Sequence, residues 1–87
     1  MTGPASIRIE DGVLDALKYV SRRPIEPTLD NDLVADLGFD SLQVLELVAE
    51  LEDRFEISIP LDNLPATRTV AQVVAEVVRL VGERTTG

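Results

Sequence analysis

Apolar side chains recur along the first quarter of the chain at the spacing of a helix. Ile9, Val13, Leu17 and Val20 follow one another at intervals of four, four and three, with Leu14 beside them. That is one stripe on a helix of period 3.6. Ser6 is placed to cap it, and acidic Glu10 and Asp11 come early, where the helix dipole favours them. Gly12 weakens the helix somewhat. Ser21 to Arg23 end it, and Pro24 and Pro27 prevent continuation. Residues 1–5 read as a flexible tail.

A long connection follows over residues 22–40. Within it Leu29, Leu33 and Leu37 recur every four residues between acidic neighbours, which predicts a turn or two of helix pinned to the core. Gly38 breaks that pattern at an expected left-handed backbone position. The second helix starts at Ser41, with Asp40 as its N-cap and Gln43 completing a capping-box arrangement. It runs to about Phe55 and Glu56, and Ile57 to Ile59 and Pro60 end it. A short turn is expected around Leu61 to Leu64, stopped by Pro65. The last helix opens on Thr69-Val70-Ala71-Gln72, which fits a capping box. Val70, Val73, Val74, Val77 and Val81 form its stripe, and Gly82 is placed to end it. The run is β-branched, but its spacing and cap favour a helix over a strand. Residues 83–87 are expected to fray. The outcome is an all-α fold in one domain spanning 1–87, with three longer helices and one short one.

The second helix has two apolar faces. At about 100° per residue, Val44, Leu47, Val48, Leu51 and Phe55 share a sector that faces the core. Leu42, Leu45 and Ala49 point elsewhere, Glu46 and Asp53 sit almost opposite the core, and Glu50 lies on their flank. Scattered surface leucines are common. Apolar positions edged by carboxylates also suit a docking face, with apolar contacts for affinity and charges for steering.

Composition narrows the functions available. There are 16 acidic and 8 basic residues, for a net charge of −8. That balance argues against nucleic acid and against anionic membranes and favours basic patches on partner proteins. With no cysteine and no histidine, the chain cannot build a disulfide, a Cys or His metal site, or a histidine-dependent triad. No apolar run approaches the ~20 residues of a membrane span, and Met1 to Ser6 lack the features of a signal peptide. A cytoplasmic location is expected. Asp30-Asn31-Asp32 and Asp36 suggest a calcium loop, but Val34 occupies a ligand position and Ala35 stands where the glycine belongs.

Ser41 is the candidate for chemistry. Its hydroxyl is weakly nucleophilic without a base, and the chain offers no histidine to activate it, so a catalytic serine is not expected. A phosphate attached there would meet the N–H groups and partial positive charge of a helix N-terminus. A serine at a helix start is also a common cap, and these physical arguments alone leave both readings open.

The run Asp36-Leu37-Gly38-Phe39-Asp40-Ser41-Leu42 resembles the DLG-x-DSL motif of acyl carrier proteins. The similarity continues through Glu46-Leu47-Val48, Leu51-Glu52, Phe55 and Ile59-Pro60 to Thr69-Val70, and covers the chain from Leu33 to Val81. The resemblance implies a four-helix bundle of three longer helices and one short helix. It implies that Ser41 receives a covalent 4′-phosphopantetheine arm from coenzyme A, whose thiol holds acyl groups as thioesters. Asp40 and Leu42 would flank the arm. Gln43, Leu45, Glu46, Ala49, Glu50, Asp53 and Ile59 would form or border the face that partners recognise. Those partners would be a phosphopantetheinyl transferase, an acyl-loading ligase or acyltransferase, and a ketosynthase or other acyl-processing enzyme, served by a monomeric, non-catalytic carrier. The resemblance also implies a deformable core that can shelter cargo between the helices.

Three positions depart from the pattern of bacterial fatty-acid carriers. Gln43 and Arg54 stand where acidic residues are usual, and Phe39 is bulkier than the residue common before Asp-Ser. These changes point away from housekeeping fatty acid biosynthesis and toward a polyketide or other specialised pathway. Aminoacyl or peptidyl carriers share the motif and stand as the alternative. A carrier-like interaction module that is never modified is a third reading.

Overall fold

The computed structural model describes the backbone of residues 3–60 and 68–86 and the side chains of 8–60 and 68–83. Three helices make up the described part: α1 (Gly3–Val20), α2 (Ser41–Phe55) and α3 (Val70–Thr86). α1 packs against both of the others, while α2 and α3 touch each other less. Among the described residues no helix is long and apolar enough to cross a membrane.

The predicted stripes face inward. Ile9, Val13 and Leu17 of α1, Leu47, Val48 and Leu51 of α2, and Val70, Val73 and Val77 of α3 are buried together. Leu14, Val20, Val44, Phe55, Val74 and Val81 pack partly buried around them. Small β-branched and leucine side chains fill this core, and Phe39 is among its largest members.

Several boundaries differ from expectation. α1 starts at Gly3, so Ser6 lies inside the helix rather than at its cap. Pro4 falls in the first turn, where its missing N–H costs nothing, and the expected tail is helical from Gly3 onward. At the other end α3 passes through Gly82 to Thr86. The Arg79 guanidinium bonds Glu76 on one side and Glu83 on the other, at 2.7 and 2.6 Å. The i,i+4 pair to Glu83 reaches across Gly82 and supports the last turn, while the i,i+3 pair to Glu76 holds the arginine from the turn before.

Residues 29–37 form hydrogen-bonded turns rather than a short helix. Asp32 organises them. Its Oδ1 accepts the N–H groups of Val34 and Ala35 at 2.9 and 2.8 Å. Its carbonyl accepts those of Asp36 and Leu37, and its own N–H donates to Asp36 Oδ2 at 2.7 Å. Asp32 thus caps a single helical turn, in which the Asp36 and Gly38 N–H groups donate to the Asp32 and Val34 carbonyls and which ends at Gly38. Leu33 and Leu37 are buried as the spacing predicts, but Leu29 stays 38% exposed. The turn expected around Leu61 to Leu64 lies outside the described residues.

The loop is tied across the molecule to the start of α3. Leu33 N–H donates to the Arg68 carbonyl at 2.9 Å, and the Val70 and Ala71 N–H groups donate to Asn31 and Leu29 at 3.0 Å. An isolated antiparallel bridge joins Asp32 to Thr69. α3 itself begins with the predicted box: the Gln72 N–H donates to Thr69 Oγ1 at 3.2 Å, and Gln72 Oε1 accepts the Thr69 N–H at 3.0 Å.

Candidate functional site

Ser41 is the first residue of α2 and is exposed. The approach to it alternates between core and solvent. Leu37 and Phe39 are buried at 6% and 2% exposure, whereas Gly38 and Asp40 face out. Gly38 adopts φ 74°, the left-handed region its sequence position predicts. A Cβ there would lie 2.9 Å from Arg23 Nη2, which itself donates to the Leu37 carbonyl at 3.4 Å. The arginine therefore braces the outside of the loop while Phe39 anchors its inside.

Asp40 then caps the helix in extended geometry, with φ −94° and ψ −179°. Its Oδ1 accepts the Gln43 N–H at 2.8 Å, and its own N–H donates to Gln43 Oε1 at 3.3 Å. This reciprocal box is the one the sequence predicts. The Asp40 carboxylate is thus engaged with an N–H, and the first-turn donors of Ser41 and Leu42 lie at the positive end of the helix.

The outer face of α2 divides the predicted docking residues. Leu42 is 56% and Leu45 48% exposed, and Glu46, Ala49 and Asp53 are exposed with them. Glu50 is half-buried and bonded through Oε2 to Arg54 Nε at 2.6 Å, so its charge is paired within the helix. Two expectations are corrected. Gln43 is only 8% exposed because its amide turns inward to close the capping box, and so it does not belong to the outer face. Ile59 is likewise 8% exposed. Glu52 Oε2 accepts its N–H at 2.8 Å and draws it into the core beneath α2, after the chain reverses through the left-handed C-cap Glu56.

Other residues at the site escape sequence reasoning. Val34 is 62% exposed and borders Ser41 together with Val44 and Leu45. Its signal was present: with Leu33 and Leu37 turned inward, the residue beside Leu33 must point away. Tyr19, 72% exposed at the end of α1, lies under the Arg54 guanidinium at 5.9 Å from the ring centre. No local pattern links those two residues. Of the side chains considered for calcium, Asn31 Oδ1 accepts the Thr28 N–H, and Asp32 Oδ1 and Asp36 Oδ2 accept backbone N–H groups as described. Asp32 titrates below its ordinary 3.8. The Ala35 N–H is the largest cause, opposed by partial desolvation and aided by the Val34 N–H and the Arg68 charge.

The fit to a phosphodiester is good on this geometry. The Ser41 side chain is exposed, it stands at a helix N-terminus, and the neighbouring carboxylate is occupied by Gln43.

Comparison with known proteins agrees with this arrangement. The phosphopantetheine attachment site family matches residues 11–77. An acyl carrier protein of Amoebophilus asiaticus is 38% identical over 77 residues, spanning 88% of this chain and 92% of that protein. A meromycolate extension acyl carrier protein of Mycobacterium tuberculosis is 34% identical over 70 residues, spanning 79% of this chain and 61% of that protein. A solved structure from Mycobacterium tuberculosis, assigned as an acyl carrier protein, superposes with a TM-score of 0.77 at 34% identity. It covers 82% of this chain and 96% of its own. The chain therefore belongs to the acyl carrier proteins, a family defined by a covalently attached phosphopantetheine group.

Proposed function

We propose that Ser41 is the attachment point of the 4′-phosphopantetheine arm. On this reading the chain holds acyl intermediates as thioesters for the enzymes of a polyketide or other specialised-metabolite pathway, and it catalyses no step itself. The observation that carries this reading is the placement of Ser41. It is the exposed first residue of a helix whose entry is locked by Phe39, the Asp40–Gln43 box and the Arg23 brace. The arm supplies the thiol that a chain without cysteine lacks. The protein's own contribution is to fix the attachment point, to favour the diester through the helix N-terminus, and to offer Leu42, Leu45, Ala49, Glu46 and Asp53 to partners. A transferase, an acyl-loading ligase or acyltransferase, and a ketosynthase carrying basic patches would suit that face.

Of the three departures from fatty-acid carriers, Phe39 and Gln43 are turned inward, so they act on the fold and not on partner contact. Arg54 remains as the outward change and is the main support for a specialised pathway. The relatives named for meromycolate extension favour a second reading, in which the chain serves an extension pathway of that kind.

Incubation with coenzyme A and a broad-specificity phosphopantetheinyl transferase should add the mass of one arm to the peptide containing Ser41. Ser41→Ala should abolish the gain while the helical signal persists. A gain in the alanine variant, or none in the wild-type protein with several transferases, refutes the assignment. Intact mass of the protein from its producer then reads off the cargo and separates the two pathways.

A further inference from the structure

A groove of about 560 Å³ runs between the end of α1 and the outer face of α2. Tyr19, Val20, Ser21 and Arg22 form one side of it. Glu46, Ala49 and Glu50 form the other. Glu46 and Ala49 belong to the exposed face of α2, so the groove continues that face onto α1.

Two of its polar groups are already engaged. Ser21 Oγ donates to the Arg23 carbonyl at 2.6 Å, and Glu50 is paired with Arg54. The Tyr19 ring and Ala49 remain as exposed apolar surface, with Arg22 on the α1 side and Glu46 on the α2 side. Among the described residues neither Arg22 nor Glu46 is in an ion pair. The two sides of the groove therefore offer opposite charges.

Tyr19 stands apart from the other aromatics. Phe39 is in the core and Phe55 packs partly buried against it, whereas Tyr19 is 72% exposed. A single exposed apolar residue is ordinary. This one is held in orientation: Arg54 lies over the ring at 5.9 Å, and Glu50 Oε2 holds Arg54 Nε at 2.6 Å. An aromatic fixed before contact loses little freedom on binding, and tyrosine is among the residues that dominate interfaces.

The groove also lies within reach of an enzyme working at Ser41. At 1.5 Å per residue, Glu46 and Ala49 are about 8 and about 12 Å along α2 from Ser41. An interface of ordinary size covers about 800 Å² on each partner, a patch of roughly 16 Å radius. A patch centred near Ser41 takes in the groove.

We propose that the phosphopantetheinyl transferase acting on Ser41 seats a surface segment in this groove, with an apolar side chain on Tyr19 and Ala49, a basic one toward Glu46 and an acidic one toward Arg22. This inference rests on Ser41 as the attachment point. It differs from docking of a wholly basic patch, which Arg22 would repel.

The test is the steady-state rate of arm transfer from coenzyme A by a broad-specificity phosphopantetheinyl transferase, with the concentration of the carrier varied. Circular dichroism melts check that each variant is folded. Tyr19→Ala should raise KM about five- to thirty-fold, as truncation of an anchor does, with kcat little changed. Tyr19→Phe keeps the ring and should leave KM near that of wild type. Arg54→Gln frees the ring and should raise KM about two- to five-fold, the size of an exposed cation–π contact. Arg22→Glu decides the charge pattern: it should raise KM although it makes the chain more acidic. An equal or lower KM for Arg22→Glu means that the transferase reads negative charge through a basic patch, and it overturns the proposal. An unchanged KM for Tyr19→Ala also overturns it and leaves the Ser41 reading intact. Absence of an arm on the wild-type chain with several transferases removes both.

Discussion

Phe39→Ala should bring the folded state close to its limit. Phe39 is 2% exposed and among the largest fully buried side chains. Truncating such a residue to alanine costs about 3–5 kcal/mol through lost transfer energy and the cavity left behind. An 87-residue domain has roughly 4–13 kcal/mol in total at about 0.05–0.15 kcal/mol per residue. Phe39→Leu keeps most of the volume and should cost only about 1–1.5 kcal/mol. That corresponds to a melting point lower by about 4–12 °C. Leu42→Ala, three residues on but 56% exposed, is the control and should stay within about 0.5 kcal/mol of wild type. The chain has no tryptophan, so urea unfolding is followed by far-ultraviolet circular dichroism, with the slope as a check on two-state behaviour. If Phe39→Ala costs no more than Leu42→Ala, Phe39 is not an anchor of the Ser41 loop, and its bulk must instead act on partners.

Three further substitutions test the backbone and the turn. Gly38→Ala should lose about 1–2 kcal/mol because an L side chain is strained at φ 74°, with Arg23 Nη2 2.9 Å from the new Cβ. Gly82→Ala, inside a helix with nothing within 4 Å of its Cβ, should gain about 0.5–1 kcal/mol; thermal melts decide both. Asp32 titrates below its ordinary 3.8, so folding favours its charged form. That contribution is present above the ordinary value and is lost as pH falls through it and below. Asp32→Asn, which keeps the Oδ1 acceptor without the charge, should therefore show a smaller drop in urea midpoint between about pH 6 and about pH 3. An equal drop refutes the assignment.

Helix α2 was legible almost to the residue because its ends are written locally. Asp40 and Gln43 cap each other within three positions, and the buried face follows the helical period. α3 was legible at its start for the same reason. Its end was not, since a glycine ends a helix only where the chain turns, and the Arg79 pair to Glu83 holds the register past Gly82. The leucines at 29, 33 and 37 carry a helical spacing, yet the turn capped by Asp32 is not continued, because Gly38 leaves the helical region at φ 74°. A hydrophobic period reports which side chains go inward, not which backbone bonds hold them. Ile59 shows the same limit: its burial depends on Glu52, seven positions away, accepting its N–H.

Gln43 joins the fold to the site. On a helical wheel it is simply a polar residue beside Leu42, and compared with fatty-acid carriers it looks like a lost surface charge. In the structure its amide closes the cap that seats Ser41, and it is buried in doing so. A glutamate there could accept the same Asp40 N–H, but it would place a second carboxylate beside that of Asp40, and like charges so close disfavour the charged form. The neutral amide accepts the Asp40 N–H while the Gln43 backbone N–H donates to Asp40 Oδ1, so both bonds of the box form without that repulsion. The change therefore stabilises the junction that a carrier must present in one position to several enzymes. On the docking reading proposed above, discrimination among partners falls to residues that do reach solvent: Leu42, Leu45, Glu46, Ala49 and Asp53 on the outer face, with the Arg54–Tyr19 pair at its edge.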